Sequence, residues 1–363
     1  MGATARVKPV LVDAYGRPLK DLRLSVTPEC NLDCFFCHME GLTSRGPLRP
    51  GTYLKMGGEL LTPGDYEVIA EAGRRLGIAS YKITGGEPLV RPDIVEVIEA
   101  LARSRGEISM TTNGTLLEAY AFKLADAGLK RVNVSIHGLQ LKTYTAIMGR
   151  PLLERALKGV KAALEAGLGV KINFVLVRGL NEADFWRMLE MAEDMGIDLQ
   201  VIELHPAGRG AKVVGSYRSP LEEIKSKLEA LAVRVERGRL HNRPVYVLPS
   251  GVKVFIVEPT GNPIFCQGCE RLRISWNGEL LPCLYWKGGK PSLLPALRSS
   301  VGFEEKVRMV AAILAEANTL RRPTAYYSPS NSPRASTPRG SLRLGHPSKA
   351  RTLRIAMKAV NGA

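Results

Sequence analysis

The 363-residue chain has no run approaching 18 consecutive apolar residues, so no segment reads as a transmembrane helix. Residues Met1 to Lys20 lack the basic-then-apolar pattern of a secretion leader, and Arg6 stands where a myristoylation signal beginning Met1-Gly2 needs Ser or Thr. The expected setting is therefore cytoplasmic, with no membrane partner. Aromatic residues are scarce at 6%, but 45% of residues are hydrophobic and 24% charged, which excludes a wholly disordered, collagen-like or disulfide-dense chain. No repeat of solenoid period is present, and length allows about two domains or one large α/β barrel with an addition. Acids are missing from the far end: from Ala317 onward there are nine Lys or Arg and no Asp or Glu, although the whole chain is formally only +16. The rest is moderately basic, which suits an anionic ligand and equally a solvated surface.

Cysteine is absent everywhere except in two triples, Cys30, Cys34, Cys37 and Cys266, Cys269, Cys283, spaced C-x3-C-x2-C and C-x2-C-x13-C. In a reducing compartment such clusters read as metal ligands or catalytic thiols rather than disulfides. Each triple lacks the fourth cysteine that zinc normally takes, whereas an iron–sulfur cluster held by three thiolates keeps one iron open for chemistry. A structural zinc remains the alternative, completed by His38 in the first triple and by a distant His or Asp in the second.

Hydrophobic periodicity predicts strands ending near Val26, Thr84, Thr111, Ile136, Val175 and Glu203. Helical patterns alternate with them, from Ile94, Leu116, Leu152 and Asn181, with marked starts at Thr62-Pro63-Gly64-Asp65 and Ser219-Pro220-Leu221-Glu222. Six strand–helix units in series imply a parallel sheet, either six of the eight units of a (β/α)8 barrel or a doubly wound open sheet. In a barrel, ligands gather at the carboxyl ends of the strands, where Cys30, Gly85, Thr111, Ser135 and Glu203 fall. Beyond Arg237 the pattern changes to short extended pieces, which reads as a β addition. There Asn277-Gly278 between apolar runs predicts a hairpin that returns Cys283 beside Cys269. The stretch 321–363 is rich in Ser, Pro and Arg and is expected to be flexible.

Cys30-Asn31-Leu32-Asp33-Cys34-Phe35-Phe36-Cys37 followed by Thr84-Gly85-Gly86-Glu87-Pro88 resembles the radical S-adenosylmethionine (SAM) superfamily. Arg23-Leu24-Ser25-Val26-Thr27, Thr111-Thr112-Asn113-Gly114, Val132-Asn133-Val134-Ser135 and Cys266-x2-Cys269-Glu270-Arg271-Leu272-Arg273 with Cys283 make it similar to the GTP 3′,8-cyclases of molybdenum-cofactor biosynthesis. The similarity runs from about Arg23 to Trp286. With the periodicity, it gives a partial (β/α)6 TIM-type barrel over 21–236 and a small C-terminal β-containing cluster domain over 237–320, flanked by an N-terminal extension over 1–20 and, by composition, a basic tail over 321–363. It further implies two [4Fe–4S] clusters, on Cys30, Cys34, Cys37 and on Cys266, Cys269, Cys283.

By the same resemblance, Phe36, Gly86, Ser135 and His205 contact SAM, and Arg23, Lys82, Thr111, Lys171, Arg271 and Arg273 bind GTP. The implied reaction is hydrogen abstraction from the ribose C3′, attack of that carbon on guanine C8 and reduction to a 3′,8-cyclised dihydroguanosine triphosphate, for molybdenum or tungsten cofactor. No catalytic side chain beyond the cluster ligands is implied. GTP and an electron donor are the implied partners, with a homodimer and no nucleic acid. Several cations converging on one barrel end suit a triphosphate, because Arg and Lys neutralise it where water is scarce. Lys82 and Gln200 stand where bacterial members usually place Arg, and His205 where they place Met. Two other readings remain: a radical SAM enzyme acting on a peptide through an auxiliary cluster, and a metal-bearing scaffold whose basic tail binds nucleic acid.

Overall fold

The computed structural model describes residues 10–40, 48–55 and 59–324. Six strands come in series: β1 (Asp21–Ser25), β2 (Ser80–Thr84), β3 (Glu107–Thr112), β4 (Arg131–Ser135), β5 (Gly169–Leu176) and β6 (Asp198–Glu203). They pair in parallel in sequence order, with no reversal of direction along the row, which excludes the doubly wound alternative. Helices Pro63–Arg75, Ile94–Ala102, Leu117–Asp126, Leu153–Glu165 and Asp184–Asp194 fill crossovers between them. The first begins as predicted, with a reciprocal capping box between Thr62 and Asp65, a device that stabilises a helix start by about 1 kcal/mol.

Two helix starts lie later than the sequence suggests. Asn181 does not open its helix, which begins at Asp184, because its side chain ties the Val177 amide and the His137 and Val175 carbonyls into a turn. Ser219 gives its hydroxyl to Glu182, and the helix there starts at Glu222 without a side-chain cap.

The pieces read as a β addition do not form a sheet of their own. Strands β7 (Arg234–Arg237), β8 (Pro244–Val247), β9 (Lys253–Val257), β10 (Arg271–Ile274) and β11 (Leu280–Leu281) extend both edges of the same sheet. Its order is β11-β10-β1-β2-β3-β4-β5-β6-β9-β8-β7. β9 runs parallel to β6 and β10 parallel to β1, while β7, β8 and β11 are antiparallel. The hairpin at Asn277-Gly278 forms, with Gly278 at φ +78°. A long helix that the sequence reading did not mark, Phe303–Thr319, packs beside Pro63–Arg75, where Glu304 pairs with Arg75 at 2.8 Å.

Strand sequence explains the division of space. A parallel sheet covered on both faces reads as unbroken apolar runs, but these strands alternate. Leu22, Leu24, Ile83, Met110, Val132, Val134, Ile172 and Phe174 are fully buried towards the helices. The opposite phase, including Arg23, Lys82, Ser109, Asn133, Lys171 and Gln200, lines a cavity on the other face. Among the described residues no helix is long and apolar enough to cross a membrane. The tail expected to be flexible lies, from residue 325 on, outside the described residues, as do residues 1–9 of the expected N-terminal extension.

Candidate active site

The first triple sits on the loop that leaves the carboxyl end of β1, and neighbouring strand ends clamp it. The Gly86 amide donates to the Thr27 carbonyl at 2.8 Å and the Glu87 amide to the Glu29 carbonyl at 2.7 Å. A Cβ at Gly86 would overlap the Glu29 carbonyl, so only glycine allows the Gly85-Gly86-Glu87-Pro88 turn to lie against Glu29-Cys30. Asn31 reaches across to Asn113 and Thr115 beyond β3, both at 2.8 Å. From the other side, Asp33 and Phe35 donate to the carbonyls of Met148 and Ile147, and Arg209 pairs with Asp33 while its amide donates to the Cys37 carbonyl at 2.8 Å.

Within that loop the Leu32 amide points at the Cys30 sulfur at 3.4 Å, and the Cys34 thiol lies 3.6 Å from the Met148 sulfur. Burial pushes the Cys30 thiol up to about 12 and those of Cys34 and Cys37 above their ordinary value, with Cys34 raised further by Cys37 and Cys30. Three thiols of this kind on one short loop ionise only beside a strongly positive group such as iron. His38, the candidate fourth zinc ligand, turns instead to Glu40, its Nε2 3.1 Å from the carboxylate. Among the described residues no three His, Cys, Asp or Glu groups converge as they would on a single metal ion. A donor set of three cysteines without a fourth fits a [4Fe–4S] cluster with one iron left open.

The second triple lies at the other ends of the strands. Asp21 of β1 is level with Arg271 of β10, so Cys266 and Cys269 precede the amino end of the sheet. β11 runs back antiparallel and delivers Cys283 to the same region. Cys266 is on the short helix Pro263–Gln267, and the Cys269 amide donates to the Cys266 carbonyl at 3.1 Å. Burial raises the Cys283 thiol, as does Cys269, against the pull of Arg273. A buried trio fixes this segment: Asp13 accepts from Arg17 at 2.7 Å and pairs with Arg321 at 3.4 Å, Arg17 donates to the Cys266 carbonyl at 2.9 Å, and Arg321 donates to the Cys269 carbonyl. The sequence reading missed all three residues.

Between the two ends lies a cavity of about 1360 Å³ lined by thirteen Lys or Arg but only five Asp or Glu. Arg23, Phe36, Lys82, Thr111, Ser135, Lys171, His205, Arg271, Arg273, Cys266, Cys269 and Cys283 all border it. Gly86 and the first three cysteines do not; the close approach that Gly86 permits is to the Cys30 loop. The cations are not gathered at one end, as expected, but spaced along the lumen, because Arg271 stands level with Asp21 and Arg273 with Arg23.

Their partners are specific. Glu40 pairs with Arg23 at 2.7 Å and also with Arg273, and these two guanidiniums hold its buried carboxyl well below the usual range. Asp21 pairs with Arg271. Lys82 donates to the Asn133 side chain at 2.6 Å and the Met110 carbonyl at 3.1 Å, and burial lowers its pKa strongly. Asn133, Asn173 and Gln200 continue that line as a side-chain ribbon, at 3.1 and 2.9 Å. Burial brings Lys171 down to about 7, and its ammonium sits 3.1 Å over the Phe255 ring. Burial likewise takes His205 down to about 3, so it is neutral, with a buried Nδ1 that has no hydrogen-bond partner.

The loop, the sheet and this cationic lumen have counterparts in known proteins. The family description "Radical SAM superfamily" matches residues 24–192, and "Molybdenum Cofactor Synthesis C" matches residues 197–327. The site and sheet are thus those of a radical SAM protein, a class that implies SAM and a [4Fe–4S] cluster. A "Probable GTP 3′,8-cyclase" of Aeropyrum pernix is 55% identical over 349 residues, covering 96% of this chain and 97% of that protein. One of Saccharolobus solfataricus is 38% identical over 320 residues, covering 87% and 99%. The chain belongs to the GTP 3′,8-cyclase family. In fold it is also similar to the crystal structure of Streptococcus suis SuiB bound to S-adenosylmethionine, with a TM-score of 0.55 and 18% identity over 78% of this chain and 66% of that one.

Proposed function

We propose that this chain cyclises GTP to (8S)-3′,8-cyclo-7,8-dihydroguanosine 5′-triphosphate by radical SAM chemistry, an early step of molybdenum or tungsten cofactor biosynthesis, in the cytoplasm. The observation that carries the reading is the strongly cationic cavity running between two half-buried cysteine triples. Its architecture reads as a partial (β/α)6 barrel whose second cluster is borne by the C-terminal segment from residue 237 to 320. Cys30, Cys34 and Cys37 would hold one [4Fe–4S] cluster and Cys266, Cys269 and Cys283 a second. When bound and reduced, the first would supply the electron for cleavage of SAM to methionine and a 5′-deoxyadenosyl radical.

The protein's part is binding, orientation and charge. Phe36, Ser135 and His205 border the SAM end, with Gly86 behind the cysteine loop; the neutral His205 offers its free Nδ1 as a hydrogen-bonding group. Thr111 stands at the carboxyl end of β3, between that end and the middle of the lumen. Arg23, Lys82, Lys171, Arg271 and Arg273 neutralise the triphosphate, whose oxygens compete with Glu40 for Arg23 and Arg273. An external electron donor is required, and a homodimer is in keeping with the family.

The test is anaerobic incubation of cluster-reconstituted protein with SAM and reductant, with and without GTP, assaying 5′-deoxyadenosine and cyclised guanosine product together. Product formed only with GTP is expected. Formation of 5′-deoxyadenosine with no GTP-derived product would assign the radical chemistry to another substrate.

A further inference from the structure

We infer that Arg243, outside the set of GTP-binding residues named above, is a further phosphate-binding and specificity-determining residue of this lumen. The inference rests on the GTP reading of the site and adds a residue to it.

Arg243 is not on a lumen strand. It ends the turn between β7 and β8, immediately before Pro244, and enters the cavity from that turn. One guanidinium nitrogen donates to the Gln200 side chain at 2.6 Å, and its Cζ lies 5.5 Å from the centre of the Phe255 ring, the ring that also carries Lys171. Its Nε is buried with no hydrogen-bond partner. The carboxylates at this level are engaged elsewhere, Asp21 by Arg271 and Asp198 by Lys171 at 3.7 Å. Among the described residues Arg243 forms no ion pair. Burial, then Arg271 and Arg131, lowers its pKa only to about 10, so it stays charged near neutral pH. A buried guanidinium without a counter-ion is costly unless a ligand supplies one.

The turn that delivers it is strained. His241 and Asn242, consecutive non-glycine residues, take φ of +67° and +50°. Tertiary contacts hold them there: the His241 amide donates to the Gly268 carbonyl at 2.7 Å, the Asn242 side chain donates to the Ile264 carbonyl at 3.1 Å, and the His241 ring stacks on Phe265 at 4.0 Å. Such strain persists only where surrounding structure over-determines it, and here its result is the placement of Arg243. The same contacts join the turn to the Cys266–Cys269 segment. Gln200 accordingly acts as the neutral hook that orients a charge brought in from residue 243, whose Nε is left without a protein partner.

The experiment is calorimetric titration of the reconstituted protein, without reductant, by GTP and separately by guanosine. In Arg243→Gln, GTP affinity should fall about 10- to 100-fold, the scale of a lost charge-assisted contact, while guanosine affinity is unchanged. Gln200→Leu, which keeps the charge but removes the hook, should lower GTP affinity less and again spare guanosine. Equal losses for both ligands would mean a merely structural role and overturn the inference, as would unchanged GTP binding in Arg243→Gln. Wild-type protein that binds no GTP would overturn the function itself, an outcome visible before any variant is made.

Discussion

A lysine held over a phenyl ring with its carboxylate 3.7 Å away is a group that an anionic ligand will protonate. Lys171, brought down to about 7 by burial, is largely neutral at pH 8 in the empty cavity, and Lys82 is shifted the same way. Binding a triphosphate favours the charged forms, raises both values and takes up protons. GTP affinity should therefore fall as pH rises above about 7, and titrations at pH 8 in buffers of different ionisation enthalpy should show net proton uptake. Lys171→Arg, charged throughout, should reduce that uptake; its persistence at full size would assign the proton elsewhere. Glu40 allows a second test at this scale. Glu40→Gln leaves Arg23 and Arg273 without their buried counter-charge, so stability should fall by about 3 kcal/mol. Because GTP would then replace a missing partner instead of displacing a bound one, the rise in melting temperature on adding GTP should exceed that of wild type. A rise no larger than wild type would separate Glu40 from the arginines proposed to bind substrate.

At the scale of elements, the Cys30–Cys37 loop depends on what lies under it. Gly86→Ala forces a Cβ into the Glu29 carbonyl, and backbone has to move to relieve it, at a cost of about 1–3 kcal/mol. Reconstituted iron should drop by about half if the first triple alone is disturbed. Retention of full iron would mean that the loop adapts. Gly86 also marks what could be read from sequence. The spacing of cysteines and glycines was legible because their chemistry and backbone demands are local, and the six central strands were legible because alternation is local. The joining of β9 and β10 to opposite edges of one sheet was not, since edge pairing is decided by residues far apart in the chain. For the same reason neither Glu40 nor Arg243 stood out in the sequence. The alternation of Arg23 and Lys171 with apolar neighbours was the available signal for a polar lumen. Asp13, Arg17 and Arg321 gave none, because their convergence on two cysteine carbonyls joins both ends of the described chain.

For the molecule as a whole, the parallel register of β1 and β10 has the largest consequence. It puts Cys30, beyond the carboxyl end of β1, and Cys269, before the amino end of β10, at opposite ends of the strands, with the cationic cavity along the length between them. Groups so separated are suited to different tasks: one end beside Phe36, Ser135 and His205, the residues proposed to contact SAM, the other beside Arg271 and the turn that carries Arg243. Removing one ligand at each end should split the reaction. Cys34→Ser should abolish 5′-deoxyadenosine formation with or without GTP. Cys269→Ser should keep GTP-independent SAM cleavage and lose the cyclised product, because the first loop is held by the turns that follow β2 and β3 and by Arg209. Wild type should reconstitute with about eight irons and each variant with about four. If both variants lose SAM cleavage equally while each keeps the opposite iron complement, the two ends act as one unit, and the division of labour inferred from their separation fails.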